Sequence, residues 1–399
     1  MLIEFHILQN HSPANLNRDD TGSPKECTFG GYRRARISSQ CLKRSIRRSE
    51  LFQQTLEGRL GQRTRQLPVL VASRLKSEPG ATAEILDIVE KKVSGFGNRD
   101  GKEQERDKTT GHYLTAQTMF LTEEDIAAVT DVMRSALLAN PNAKKLEAVK
   151  AADLQALAEQ KNFRPIAVDV ALFGRMVTSG AFRDVEASAQ VAHAISTHKV
   201  DHEFDYFTAV DDLQGSDESA GEEDSGADMI GDVEFNSACF YKYASIDVNG
   251  LIDNLTGSRM FRRTVTDVEL DEARKLAALT VGSLLEAAAR VTPSGKQNTF
   301  ASHTLPALIL VEVRPKRTPV SYANAFVEPA RQNHQQSLVE ASIKKLSQHV
   351  ETLHAAFNLE SAPRLLFAPE SKTEIEGATR VASLRELREA LEGAIRGNG

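Results

Sequence analysis

The chain has 399 residues, 41% of them hydrophobic, enough to build a sizeable core in two or three domains or in one domain with large insertions. No run of about twenty apolar residues occurs, which excludes a membrane-crossing helix, and the N-terminal MLIEFHIL lacks the basic flank of a signal peptide. Three scattered cysteines, Cys27, Cys41 and Cys239, form no CxxC pair; this argues against a disulfide framework or thiolate zinc site and for a reducing, cytoplasmic setting. The net charge of −6 hides an asymmetry. Thirteen Asp and Glu and no Lys or Arg lie between Asp201 and Glu234, and setting them aside leaves the remainder at +7. A basic body with one acidic segment points to a polyanionic partner, while leaving the fold open.

Leu2–Leu8 reads as a buried strand, and Asn10–Arg34, rich in Asn, Asp, Gly and Pro, as a loop. Ser38 or Ser39 can cap a helix running to about Gln54. Helical patterning follows at Thr82–Val93, Glu123–Leu138 and Ala143–Ala158, interrupted by the polar Ser94–Gly111, which reads as a mobile loop. Pro165–Gly174 is expected as a second strand, Glu186–His198 as a helix, Glu234–Val248 as a third strand, Val268–Ala289 as a helix and Thr304–Pro315 as a fourth strand. Two helices close the chain, near Gln335–Asn358 and Ser383–Ile395. Without its insertions this order is βαββαβ, the ferredoxin-like pattern shared by the RNA-recognition motif (RRM).

The stretch Lys25–Arg48 holds eight Lys and Arg against one Glu. On a helix starting near Ser39, Gln40, Lys43 and Arg47 fall on one stripe, while Ile37, Cys41, Ile46 and Phe52 lie mainly on the opposite arc. Cations crowded at a helix N-terminus are unfavourable unless an anion sits there, so the pattern reads as a phosphate cradle, with Lys25 and Arg18 able to close over it. A solvated basic face with surface ion pairs is the plainer alternative.

Other patterns carry less. PSGKQNTF, Pro293–Phe300, lacks the glycine spacing and the Ser/Thr of a phosphate-binding Walker loop, although Lys296 and its amides can touch a phosphate backbone. His193, His198 and His202 have no HExxH spacing and read as surface histidines at the base of an insertion. The acidic segment does not fit a calcium loop, and no nucleophile constellation is visible. Met176 and Phe207 are core residues by default; at the rim of a basic groove they could instead wedge between bases or stack on one.

The strings FHILQNHSPANLNRDDTGSPK, FGGYRRARISSQCLKRS, LFGRMVTS, AHAISTHKVDHEFDYFTAVDDL and PSGKQNTFASHTLP together resemble the CasC family, the repeated backbone subunit of Cascade, the type I-E CRISPR surveillance complex. The resemblance implies an α+β fold: an RRM-like palm with a helical finger insertion and a protruding thumb insertion. The palm would comprise residues 1–56, 165–185 and 233–399, the fingers 57–164 and the thumb 186–232. It implies copies stacked head-to-tail along one guide RNA, kinked at intervals by the thumb, with the bases between kinks left open to a target DNA strand. The implied RNA contacts are Arg18, Lys25, Ser38, Gln40, Lys43, Arg44 and Arg47 on the backbone, with Lys296 from its loop. Met176 would wedge at the kink, and Phe207 and Leu213 would cover the displaced nucleotide. Arg47 stands where the family pattern has Lys and Tyr206 where it has Trp, and the piece SDESAGEEDSGAD departs from the pattern. Implied partners are guide RNA, target DNA, further copies and the large, small, RNA-processing and foot subunits, with no membrane and no cofactor. The expected role is non-catalytic. A backbone ribonuclease using a thumb aspartate (Asp201, Asp205, Asp211 or Asp212) and a single-copy RNA-binding module are the alternatives.

Overall fold

The computed structural model describes residues 1–160, 166–209, 229–361 and 363–397. The chain divides into two units: Met1–Phe52, Val191–Ser245 and Val281–Gly399 form the first, Gln53–Gln190 and Ile246–Thr280 the second.

The first unit is built on a mixed sheet. Its strands run in the order Thr379–Arg380, Arg364–Phe367, Leu308–Arg314, Leu2–Ala14, Met229–Asp247, Ala194–Ser196, Tyr32–Ile37, Glu26–Phe29. The first strand pairs antiparallel with Leu308–Arg314 from Leu2↔Arg314 to Leu8↔Leu308. Period-2 alternation then sends Phe5 and Ile7 to one face and Glu4, His6 and Leu8 to the other. Both faces are covered, so Leu2–Gln9 is buried throughout. On the Phe5 side lie Leu42 and Ile46 of the basic helix, one turn apart, and Leu284, Ala288 and Val291 from the end of the long helix Asp267–Arg290, around a cavity of about 30 Å³. On the other side Leu8, Leu310 and Leu366 pack against Ile343, Leu346 and Val350 of the helix Leu338–Phe357.

That second face also holds a buried polar network. Glu4, His6 and Glu312 bring ligand-type atoms within 4.8 Å of one another, the single such group among the described residues. Both carboxylates are already engaged. Glu4 accepts from Arg314, from Tyr243 Oη at 2.5 Å and from the Val320 N–H at 2.7 Å. Glu312 accepts from Arg314 and Tyr322 Oη, both at 2.7 Å, and pairs with Arg364 Nε at 3.0 Å. Burial pushes the Glu312 carboxyl up, but the hydrogen bond from His354 at 2.9 Å, His6 nearby and the Arg314 charge outweigh it and hold it below the usual range. Two guanidinium groups thus supply the countercharge a metal would bring, and the network is a structural plug.

Sequence and structure differ in four places here. Pro165–Gly174 is not a strand: Val168–Phe173 is a helix with five buried residues, its Asp169 carboxylate accepting the Gly61 N–H at 2.8 Å, and Gly174 at φ +78 ends it. A short apolar run fits either period, and periodicity alone does not separate a buried strand from a buried helix. Glu186–His198 is not a helix but two short strands, Ala189–Val191 and Ala194–Ser196. Its alanines favour a helix locally, yet Ile195↔Tyr241 and Ser196↔Phe240 pairing with the long strand overrides that preference. Asn10–Arg34 is not all loop, since the first strand runs to Ala14 and Glu26–Phe29 pairs with Tyr32–Ile37 across Gly30–Gly31, both at positive φ. The basic helix stops at Arg48, where Ser49 turns extended and caps the next helix, Glu50–Thr55, through its hydroxyl on the Phe52 N–H at 3.3 Å.

The second unit is mainly helical. Leu67–Leu75, Ala83–Ser94, Glu123–Ala139 and Ala151–Gln160 enclose Val71, Val89, Phe96, Val129 and Leu154. Ser94–Gly111, expected to be mobile, is pinned: Ser94 Oγ accepts the Gln104 N–H at 2.8 Å, Lys92 reaches Glu103 at 2.7 Å, and Asp107 receives the Thr109 and Thr110 N–H groups. No described helix is long and apolar enough to cross a membrane.

Lys242, in the cavity wall, is buried and donates to Gln9 Oε1 at 2.5 Å and to the Ala288 carbonyl at 3.1 Å, so its ammonium sits at the C-terminal end of the long helix. Burial still lowers its pKa to about 8. Between that value and the ordinary one near 10.5 the unfolded chain binds the extra proton, so this residue's contribution to stability rises with pH. The stability of wild type minus that of Lys242→Met should therefore grow by about 3 kcal/mol from pH 7.5 to 10.5 in denaturant titrations.

Candidate nucleic-acid interface

The eight cations of Lys25–Arg48 have different fates. Arg34 is fully buried and donates to the carbonyls of Ser196 at 3.2 Å, Phe326 at 2.6 Å and Val327 at 3.2 Å. It holds the hairpin to the segment after the fourth strand and cannot meet a ligand. Arg33 pairs with Glu26 at 3.2 Å. Arg44 and Arg48 are exposed; Lys25, Arg36, Lys43 and Arg47 are half-buried.

The helix start is tied internally. The Ser38 side chain is buried and caps the helix by accepting the Cys41 N–H at 3.2 Å, and its own N–H donates to Asn17 Oδ1 at 2.8 Å. The Ser39 N–H donates to His193 Nδ1 at 3.2 Å. These three N–H groups are used within the chain, so attraction of the expected phosphate cradle for an anion would come from the side chains. No acidic residue stands in the first turn. Among the described residues the charges that act on His193 are positive: partial desolvation and the Arg36, Lys25 and Lys43 charges each push its pKa down. Lys25 joins this group because its N–H donates to the Asn17 carbonyl and its carbonyl accepts the Arg36 N–H, both at 2.8 Å.

Arg18 is exposed on a built loop, bridging to Pro24, where Asp19 Oδ1 gathers the Thr21 and Ser23 N–H groups at 3.0 Å each. Lys296 begins the short helix Gln297–Phe300 at φ +50. Its loop lies against the stem of the Arg18 loop, since a Cβ on Gly295 would fall 2.5 Å from the Asn15 and Leu16 carbonyl oxygens. Gln40 is exposed on the helix. The structure therefore brings Lys25, Ser38 and Lys43 to one end of the basic helix, with Gln40, Arg44 and Arg47 along it. Two positioning residues escaped the sequence reading, Asn17 and His193; only pairing in space reveals them.

Three other candidates remain. Met176, in the second unit, is 91% exposed and not core. Its loop is fixed by reciprocal Arg175–Val185 backbone bonds, Arg175 Nη1 on Asp125 at 2.5 Å and the Val177 N–H on Asp184 at 2.7 Å. Phe207 lies on Glu203–Ala209, which pairs antiparallel with the start of the long strand, and its ring covers Gly231, where a Cβ would come within 2.6 Å of it. Leu213, with Asp211 and Asp212, lies outside the described residues. The three histidines do not converge: His202 is held between Glu26 and Glu234, away from the Ser39 N–H that engages His193.

The family described as CT1975-like protein matches residues 3–392. The chain belongs to that family. No curated protein matches it. Among solved structures it is similar to a chain of a "CRISPR RNA-guided surveillance complex, pre-nicking", with 27% identity and a TM-score of 0.78 over 99% of this chain and 100% of that one. A chain of another "CRISPR RNA-guided surveillance complex" shares the fold at 22% identity and a TM-score of 0.68, again over 99% and 100%.

With Met176 solvent-facing, Met176→Ala should leave the thermal midpoint within about 1 °C of wild type, since surface substitutions rarely exceed a few tenths of a kcal/mol. Thermal unfolding by circular dichroism checks this.

Proposed function

We propose that the chain is a non-catalytic backbone subunit of a Cascade-type, type I-E CRISPR complex. It would bind guide RNA through the basic helix, assemble in several copies along it, and leave bases open for pairing with target DNA. The observation carrying this reading is the grouping of Lys25, Arg36 and Lys43 at one helix end with no acid in the first turn. That grouping occurs in a chain similar along its whole length to one from an RNA-guided complex.

The strand order supports an RRM-like palm. Leu308–Arg314, Leu2–Ala14, Met229–Asp247 and Ala194–Ser196 lie side by side, the fourth–first–third–second order of a ferredoxin-like unit once Ala194–Ser196 takes the place of the second strand. An ordinary RRM stacks bases on its open sheet face. Here the helix Leu338–Phe357 packs on that face, which favours a path for RNA along the basic helix and the Arg18 and Lys296 loops instead. Contacts of that kind engage phosphates and accept any base sequence. The described part of the insertion, Glu203–Ala209 with Phe207 over Gly231, would act as the thumb, and the second unit, with the rigidly held Met176, would supply fingers and wedge. The large, small, RNA-processing and foot subunits and target DNA would be further partners.

A thumb-aspartate ribonuclease is the competing reading. Asp201 is 78% exposed and paired with Lys199 at 3.1 Å, an arrangement that leaves a surface ion pair and not a buried acid.

Lys43→Glu with Arg47→Glu should lower affinity for single-stranded RNA by about 10- to 100-fold at physiological salt and reduce the salt dependence. Retained affinity contradicts the phosphate track. Native mass measurement with a guide RNA should show several copies per RNA; a single copy contradicts the backbone role. RNA strands incubated with the assembly and Mg²⁺ should stay intact, and regularly spaced cuts would favour the ribonuclease.

A further inference from the structure

His193 is not explained by capping alone. Two donors converge on its Nδ1: the Ser39 N–H at 3.2 Å and Arg36 Nη1 at 3.4 Å. A nitrogen receiving two N–H donors carries no proton itself, so the neutral ring keeps its proton on Nε2. The residue is exposed, which makes Nε2–H a donor available to a ligand. The charges facing the ring come from three elements: Lys25 from the loop before the hairpin, Arg36 from the hairpin strand and Lys43 from the basic helix. All are cations.

Resting on the RNA-binding reading above, we propose that His193 is itself a phosphate contact of the guide-RNA track, donating from Nε2–H, and that RNA binding is linked to its proton. In the free protein burial and the three cations keep the ring neutral. A bound phosphate neutralises those cations and adds negative charge beside the ring, so the imidazolium form becomes more favourable. Uptake of a proton at Nδ1 then releases the Ser39 N–H, at the helix start, toward the anion. Because the bound state holds the proton more tightly, affinity must rise as pH falls through the window between the free and bound titration points.

The test uses the full chain and a short oligouridylate. Asn at this position can still accept the Ser39 N–H through Oδ1, but it cannot titrate, so His193→Asn keeps the helix start and identifies the His193 resonance by its loss. The His193 imidazole should titrate at higher pH with oligouridylate than without. Wild type should gain about three- to tenfold in affinity between about pH 7.5 and 5.5 beyond any gain in His193→Asn. An unchanged His193 titration in a protein that binds the oligonucleotide, or equal pH dependence in the two proteins, overturns the inference and leaves the phosphate track standing. No binding by wild type sinks the RNA reading itself, and this one with it.

Discussion

Like charges held together at one helix start are the constraint on which the rest of the structure turns. Lys25, Arg36 and Lys43 meet there, where the dipole also is positive and the first turn carries no acid. Elsewhere the fold handles buried charge differently. Arg314 and Arg364 are matched to Glu4 and Glu312, Arg175 to Asp125, and Arg34 spends its donors on backbone carbonyls. Most of the described interior cations are thus matched by carboxylates or carbonyls, whereas Lys25, Arg36 and Lys43 gather with no acid in the first turn of their helix.

The scaffold explains how that cluster is held. Leu42 and Ile46 anchor the helix on the sheet, Ser38 and Asn17 fix its first turn, and Arg34 locks the preceding hairpin to the segment after the fourth strand. Gly30 permits that lock, because its positive φ and missing Cβ let the turn close on the Val327 carbonyl. With both sheet faces covered, the cationic edge is the surface that the proposed function assigns to the RNA.

Much of this was legible in the sequence, and the failures share a cause. The first strand, the basic helix, the long strand and the long helix carry strong periodicity or clear caps, and each is present. Val168–Phe173 and Ala194–Ser196 were misread because neither short segment decides its own conformation: the first is an apolar run that fits a buried strand or a buried helix, and pairing with the long strand makes the second a sheet element. The Phe29–Tyr32 hairpin was hidden by the Asn, Asp, Gly and Pro content of Asn10–Arg34, which reads as a loop until Glu26–Phe29 is seen to pair with Tyr32–Ile37. In the candidate site the cations were visible as a run of like charge. That Arg34 leaves the run and His193 joins it depends on residues more than a hundred positions apart, which no local pattern encodes.

The central claim is that this cationic edge grips single-stranded RNA through its phosphates regardless of base sequence. Its most direct test is the affinity of the wild-type chain for two short RNAs of unrelated sequence across a range of ionic strength. The account predicts parallel lines on a log–log plot, falling with a slope that corresponds to about three or more phosphates neutralised. A flat salt response, or strong affinity for one sequence and none for the other, would contradict it.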